Sequence, residues 1–104
     1  MSEKIITVFR NHLRPDALAA YAELAPEMLA LARSMPGFID AKTFTADDGE
    51  RVTVVTFTDV ATHNGWRDHP EHRVAQQRGV HEFYADYSIQ VATVAYEHRF
   101  HHRP

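Results

Sequence analysis

Four side chains in this sequence carry usable chemistry at a suggestive spacing: an indole, two imidazoles and a carboxamide. Trp66 is the single tryptophan of the chain, and it shortly precedes the block His69-Pro70-Glu71-His72. An indole there acts either as a plug between helix and sheet or as a wall of an aromatic-binding pocket, with a flat face and an N–H donor. His69 and His72 lie three apart, a spacing that puts two imidazoles on one side of a helix, as a metal site requires. Zinc asks for at least one more ligand, and Glu71 points elsewhere on the helical wheel. A single histidine working as base or hydrogen-bond donor asks for less, because imidazole titrates near neutrality. Asn11 falls at the end of the first predicted strand, where it either satisfies turn backbone or donates its carboxamide to a substrate oxygen.

Other chemistries find nothing to rest on. The chain has no cysteine, which removes disulfides, thiolate catalysis and cysteine-ligated zinc or iron–sulfur sites. It has no glycine-rich phosphate loop, no GxSxG elbow and no HExxH. Net charge is −3 with the eight histidines neutral, so no electrostatic pull toward nucleic acid or an anionic membrane is expected. No signal-like or membrane-spanning apolar run is present, and a cytoplasmic protein is expected.

The elements that must position these groups follow from periodicity and punctuation. With 104 residues, 44% of them hydrophobic and 24% charged, the composition is that of a globular chain, and a single domain over 1–104 is expected, with 98–104 as a tail. Lys4–Asn11 reads as a strand. Pro15-Asp16 opens a helix whose apolar positions, from Leu18 to Met35, recur at helical spacing, with a kink or break expected at Pro26. Pro36-Gly37 leads into a strand over Phe38–Thr45; Asp47-Asp48-Gly49 is a hairpin turn, and Arg51–Thr58 returns. Asp59 caps a short helix through His63 and Trp66. Pro70 starts another through about Tyr84, with Gly79 as its weak point, and Tyr87–Glu97 is the last strand. The tail, with His98, His101, His102, Arg99 and Arg103, reads as a solvated end, a weak metal binder or an arm across a partner.

The order β-α-β-β-α-β predicts an α+β, ferredoxin-like fold: a four-stranded antiparallel sheet with helices on one face. A one-sided sheet in a monomer shows polar residues at alternate strand positions. Here Val52 and Val54 alternate with Val55 and Phe57, Ile6 and Val8 alternate with Ile5 and Phe9, and Val94 and Tyr96 are set against Ile89 and Val91. Both faces are apolar, which predicts a homodimer.

Three stretches carry a family resemblance. They are Met35-Pro36-Gly37-Phe38-Ile39, the run FTADDGERVTVVTFTD, and Gly65-Trp66-Arg67-Asp68-His69-Pro70-Glu71-His72, continued by Ala75-Gln76, Phe83-Tyr84 and Ile89-Gln90-Val91. Together they resemble the antibiotic biosynthesis monooxygenase family over nearly the whole chain. The resemblance implies a dimeric α+β barrel of ferredoxin-like protomers, with a pocket between each sheet and its helices. One branch of that family oxidises phenolic or anthrone substrates without metal or flavin. Another degrades haem, using an Asn on the first strand, a Trp, and an iron-ligating His on the following helix. Asn11 and Trp66 match the first two positions; where the ligating His would fall this chain has Gln76, and His72 lies about one turn earlier.

The resulting expectation is a cofactor-independent monooxygenase acting on a small aromatic substrate with dioxygen. In it His72 (or His69) takes the phenolic proton, Asn11 hydrogen-bonds the developing oxyanion and Trp66 stacks on the ring. His69, Gln76 and Phe83 are expected to contact substrate. Haem binding and degradation is the alternative, and a non-catalytic module that only sequesters a small molecule is a third.

Overall fold

Nine residues, Ile5–Leu13, apolar on both faces through Phe9, form strand β1 at the interior of the sheet. The computed structural model describes residues 3–103. After a 3₁₀ turn at Pro15–Ala17 come helix α1 (Leu18–Ser34), the hairpin β2 (Phe38–Thr45) and β3 (Arg51–Phe57), and helices α2 (Val60–Arg67) and α3 (Pro70–Arg78). A single π-helical turn, Gly79–Phe83, leads into β4 (Tyr84–Thr93). The sheet order is β2-β3-β1-β4, with every neighbouring pair antiparallel. This is the ferredoxin-like α+β arrangement.

Local chemistry sets the boundaries. Asp59 precedes α2 in extended backbone, and its Oδ1 accepts from Thr62 N–H at 2.8 Å, satisfying a donor that the helix start would otherwise orphan. His69 does the same for α3, its Nδ1 accepting from Glu71 N–H at 3.2 Å, with Pro70 at the first helical position where no N–H is needed. Gly37 sits at φ 81°, and a Cβ there would lie 2.4 Å from the Thr62 hydroxyl; both facts demand glycine at the turn that brings α2 against the start of β2.

Strand β1 runs two residues past Asn11, to Leu13, so Asn11 lies within the sheet instead of ending the strand, and three other features differ from the sequence expectation. Helix α1 runs unbroken through Pro26; proline deletes one hydrogen bond there, and the turns on either side keep theirs. The helix begun at Pro70 ends at Arg78, where the backbone widens into the π turn. Strand β4 begins three residues earlier than expected and stops at Thr93, opposite Ile5. Among the described residues one further backbone bond, Val94 N–H to Lys4 O at 2.9 Å, extends the pairing. Among the described residues β1 begins at Ile5, so Val94–Glu97 run past its paired length and are not strand.

The two faces of the sheet differ. Ile5, Thr7 and Asn11 of β1 and Val55 and Phe57 of β3 are buried on the face toward the helices. On the opposite face lie Ile6, Val8, Val52 and Val54, all half-buried, with the Arg10–Glu50 ion pair (2.7 Å) at the rim. Beyond Tyr84, edge strand β4 is exposed on both sides. Even Tyr87, Ile89 and Val91, which share the helix side with Asn11, Phe9 and Thr7, are 49%, 53% and 52% exposed. The protein's accessible surface is 7412 Å². A folded monomer of 11.9 kDa is expected to show about 5,950 Å², so roughly a quarter more is left open. Among the described residues no helix is long and apolar enough to cross a membrane.

Candidate functional site

The C-terminal turn of α2 and the first turn of α3 bring Trp66 and His72 face to face. Trp66 stacks on Phe57 of β3, with ring centroids 5.4 Å apart and planes at 27°. His72 stacks on Trp66 at 4.2 Å and 20°. The chain turns back on itself at Asp68-His69, and His72 Nδ1 thereby reaches the Trp66 carbonyl at 3.1 Å. A carbonyl oxygen only accepts, so the hydrogen bond assigns the imidazole proton to Nδ1 and leaves a lone pair on Nε2. Burial pushes the His72 pKa below its ordinary 6.5, the neighbouring backbone bonds opposing it; the ring is therefore neutral at pH 7. Trp66 Nε1–H is buried without an acceptor. One ring thus offers a base and the ring stacked on it offers a donor.

His69 and Gln76 flank this pair. His69 is half-buried and engaged through Nδ1 as the cap of α3. Gln76, one turn beyond His72, brings its amide to 3.4 Å from His72 Nδ1, a long contact on the side away from the Nε2 lone pair.

Beneath Trp66 lies a polar chain that no sequence motif marks. His63 is buried, its Nε2 3.1 Å from Thr7 Oγ1 and its Nδ1 3.0 Å from Asn64 Oδ1. Its ring meets Trp66 edge-on at 6.2 Å. The available signal was positional: His63 and Trp66 are three apart on one helix and so share its face.

The second group gathers around Asn11, at the other end of β1. Asn11 is 1% exposed, and neither its Oδ1 nor its Nδ2 has a partner. Arg51 is directly opposite in the β1–β3 register, and Tyr87 in the β1–β4 register. The Arg51 guanidinium lies 4.5 Å over the Tyr21 ring, while its Nε is buried and unpaired. Tyr84 packs against Phe9, Tyr21 and Tyr87, and Phe83, fully buried, meets Tyr21 edge-on at 5.8 Å. Gly79 lets the π turn close on this cluster, because a Cβ there would stand 2.4 Å from the Tyr84 ring. Burial, first, and neighbouring Tyr21, second, push the Tyr84 hydroxyl well above its usual range, so it stays protonated. Each orphaned polar group of this kind costs about 1–3 kcal/mol. Arg51, Tyr21 and Tyr84 were not legible as site residues, since their convergence depends on register and on the path of α1.

The nominated residues thus sort into two groups on one side of the sheet. Trp66, His72, Gln76 and His69 lie together at the α2–α3 junction; Asn11 and Phe83 belong to the cluster under α1. No hydrogen bond joins the groups. Thr7, bonded to His63 beside Trp66, and Asn11 share a face of β1 four residues apart, about 13 Å at the usual strand rise. A separate hollow of about 200 Å³, lined by Glu3, Ile5, Asp59, Val60 and Thr93, contains none of the nominated residues, and its Asp59 is occupied in capping α2. Among the described residues no three His, Asp or Glu side chains are grouped to hold a metal ion.

Comparison with known proteins adds a family. The profile described as "Antibiotic biosynthesis monooxygenase" matches residues 4–78, from β1 through the end of α3. The uncharacterized protein YqjZ of Bacillus subtilis (strain 168) is 34% identical over 87 residues, covering 84% of this chain and 76% of that protein. Among solved structures, Rv0793 of Mycobacterium tuberculosis superposes with a TM-score of 0.78 at 21% identity, covering 90% of this chain and 97% of the other. SnoaB of Streptomyces nogalater, a cofactor-independent oxygenase, superposes with a TM-score of 0.77 at 14% identity, covering 92% and 97%. At these identities the structural likeness establishes the shared fold.

Proposed function

Because the chain belongs to the antibiotic biosynthesis monooxygenase family, we propose that it oxidises an electron-rich phenol or anthrone with dioxygen, without a cofactor, at the Trp66–His72 pair. The observation that carries this reading is the pairing of a vacant base with a vacant donor on stacked rings. A phenolic substrate would give its proton to His72 Nε2, and Trp66 Nε1–H would donate to the phenolate oxygen left behind. The phenolate passes one electron to dioxygen; the resulting aryloxyl radical and superoxide combine at a ring carbon that bears hydrogen. The peroxide takes back the proton held by His72 and loses water to give the quinone, so that one dioxygen yields one carbonyl and one water. The protein's part is to bind the anion, orient it and keep bulk water from the radical pair.

The assembly that fits this chemistry is a homodimer joined through the uncovered sheet face. Ile6, Val8, Val52 and Val54 supply the apolar centre, with charge at the rim. Val54→Asp should give a monomer in sedimentation equilibrium; a wild-type protein that is itself monomeric at micromolar concentration would remove this assembly.

The test of the activity is oxygen uptake with a panel of naphthols and anthrones, with ¹⁸O₂ incorporation read by mass spectrometry. The expected result is one labelled carbonyl oxygen per dioxygen consumed, lost in His72→Ala. Uptake no faster than the protein-free blank, or full turnover in His72→Ala, would overturn the assignment. A Soret shift at one equivalent of hemin, abolished by the same substitution, would replace it with the haem reading.

A further inference from the structure

Arg51 and Asn11 present an unusual combination: a cation and a carboxamide, adjacent in register, both holding buried polar atoms with no partner. Among the described residues no carboxylate lies within ion-pair distance of Arg51, although Arg10, Arg67 and Arg78 each have one. The other polar groups around it are the Tyr21 ring that it covers and the protonated hydroxyl of Tyr84. The cluster is thus donor-rich and lacks an anion. Phe9, Tyr21, Tyr84 and Tyr87 wall it with aromatic rings.

We infer that Asn11 and Arg51 form a subsite for an anionic oxygen on an aromatic ligand, specifically a ring bearing a carboxylate beside a hydroxyl. A carboxylate accepts from Arg51 Nε–H and Asn11 Nδ2–H, and an adjacent hydroxyl donates to Asn11 Oδ1. That one arrangement satisfies all three orphaned atoms, which neither a neutral hydrocarbon nor a cation does. The inference rests on the preceding reading only for the other end of the ligand. If the reacting ring lies at Trp66, the roughly 13 Å of β1 between Thr7 and Asn11 calls for fused rings, with oxidation at one end and recognition at the other. Arg51 is on this account a specificity-determining residue.

The experiment uses the intact protein and a matched pair of probes, 3-hydroxy-2-naphthoate and 2-naphthol, with binding measured by calorimetry. The wild type should bind the carboxylate at least about tenfold more tightly, as a charge-assisted hydrogen bond supplies. Arg51→Met should abolish the preference, and Arg51→Lys should retain part of it. Asn11→Asp places an internal carboxylate beside Arg51; it should remove the preference and raise the melting temperature, which keeps the test decisive should Arg51→Met fail to fold. Equal affinity for the two probes in the wild type, or a preference that survives both Arg51→Met and Asn11→Asp, would overturn the subsite. The outcome is separable from the oxygenase reading: a preference intact in a protein that consumes no oxygen leaves the subsite standing and the reaction unsupported. Oxygen uptake without a preference does the reverse.

Discussion

Thr7 and Asn11 sit on the same strand, on the same face and four residues apart, and both are buried polar residues, at 6% and 1% exposure. Thr7 is answered by His63, which is answered in turn by Asn64. Asn11 is answered by nothing, and the arginine across from it has a buried donor in the same condition. A fold maintained only for stability would not leave such groups adjacent, because each costs about 1–3 kcal/mol and an apolar side chain would relieve the cost. The contrast separates structure from recognition. The Thr7 end is completed within the chain and holds α2, and hence Trp66, in place. The Asn11 end needs something from outside.

The largest effect should fall on turnover. His72→Ala removes the base and is expected to lower oxygen uptake by about 10²–10⁴-fold, while the carboxylate preference at Arg51 stays intact. Loss of both together would show that the two ends are one site. The pH profile sharpens the same point. His72 has its pKa lowered by burial, so the acid limb of activity should fall below pH 6.5. The unfolded chain binds that proton first, so stability is complete above 6.5 and declines as pH falls toward the depressed folded value. An acid limb above 6.5 would assign the base to another group.

Next in size is the floor beneath Trp66. Phe57 is fully buried and touches Phe38, His63 and Trp66, so Phe57→Ala should cost about 3–5 kcal/mol in a urea unfolding titration. Thr7→Val follows. It keeps the shape and strips the hydroxyl from a buried histidine, at a cost of about 1–3 kcal/mol. A neutral Thr7→Val would mean that His63 has found another partner, and the contrast with Asn11 would weaken.

Sequence reading recovered the sheet and its connections because their signals are local. The β2–β3 hairpin is declared by Asp47-Asp48-Gly49, the cap of α2 by Asp59, and the apolar character of both faces by alternation in β1 and β3. Features set by partners elsewhere were not legible. Val94–Glu97 have strand composition, yet β1 ends before them. Gly79–Phe83 continue a helical pattern, yet the Tyr84 ring lies where any side chain at Gly79 would stand, and the turn widens. The site divided in the same way. The Trp66–His72 contact spans six residues and could be read from the block itself. The Asn11–Arg51 contact spans forty and exists only in the register of two strands.

The smallest expected effect is the most informative. Asn11→Leu replaces a carboxamide with two unpaired atoms by an apolar group of the same branching, on a strand face whose neighbouring rings are Phe9, Tyr84 and Tyr87. At an ordinary buried asparagine this change breaks hydrogen bonds and destabilises. Here there are none to break; the substitution removes a desolvation cost and adds apolar contact, so the free energy of unfolding should be unchanged or rise by up to about 1 kcal/mol. The same variant should lose most of the preference for the carboxylate probe. Stability kept and recognition lost is the signature of a residue that serves a ligand. A loss of 2 kcal/mol or more would mean instead that Asn11 is paired in solution, and the distinction between the two ends of β1 would collapse.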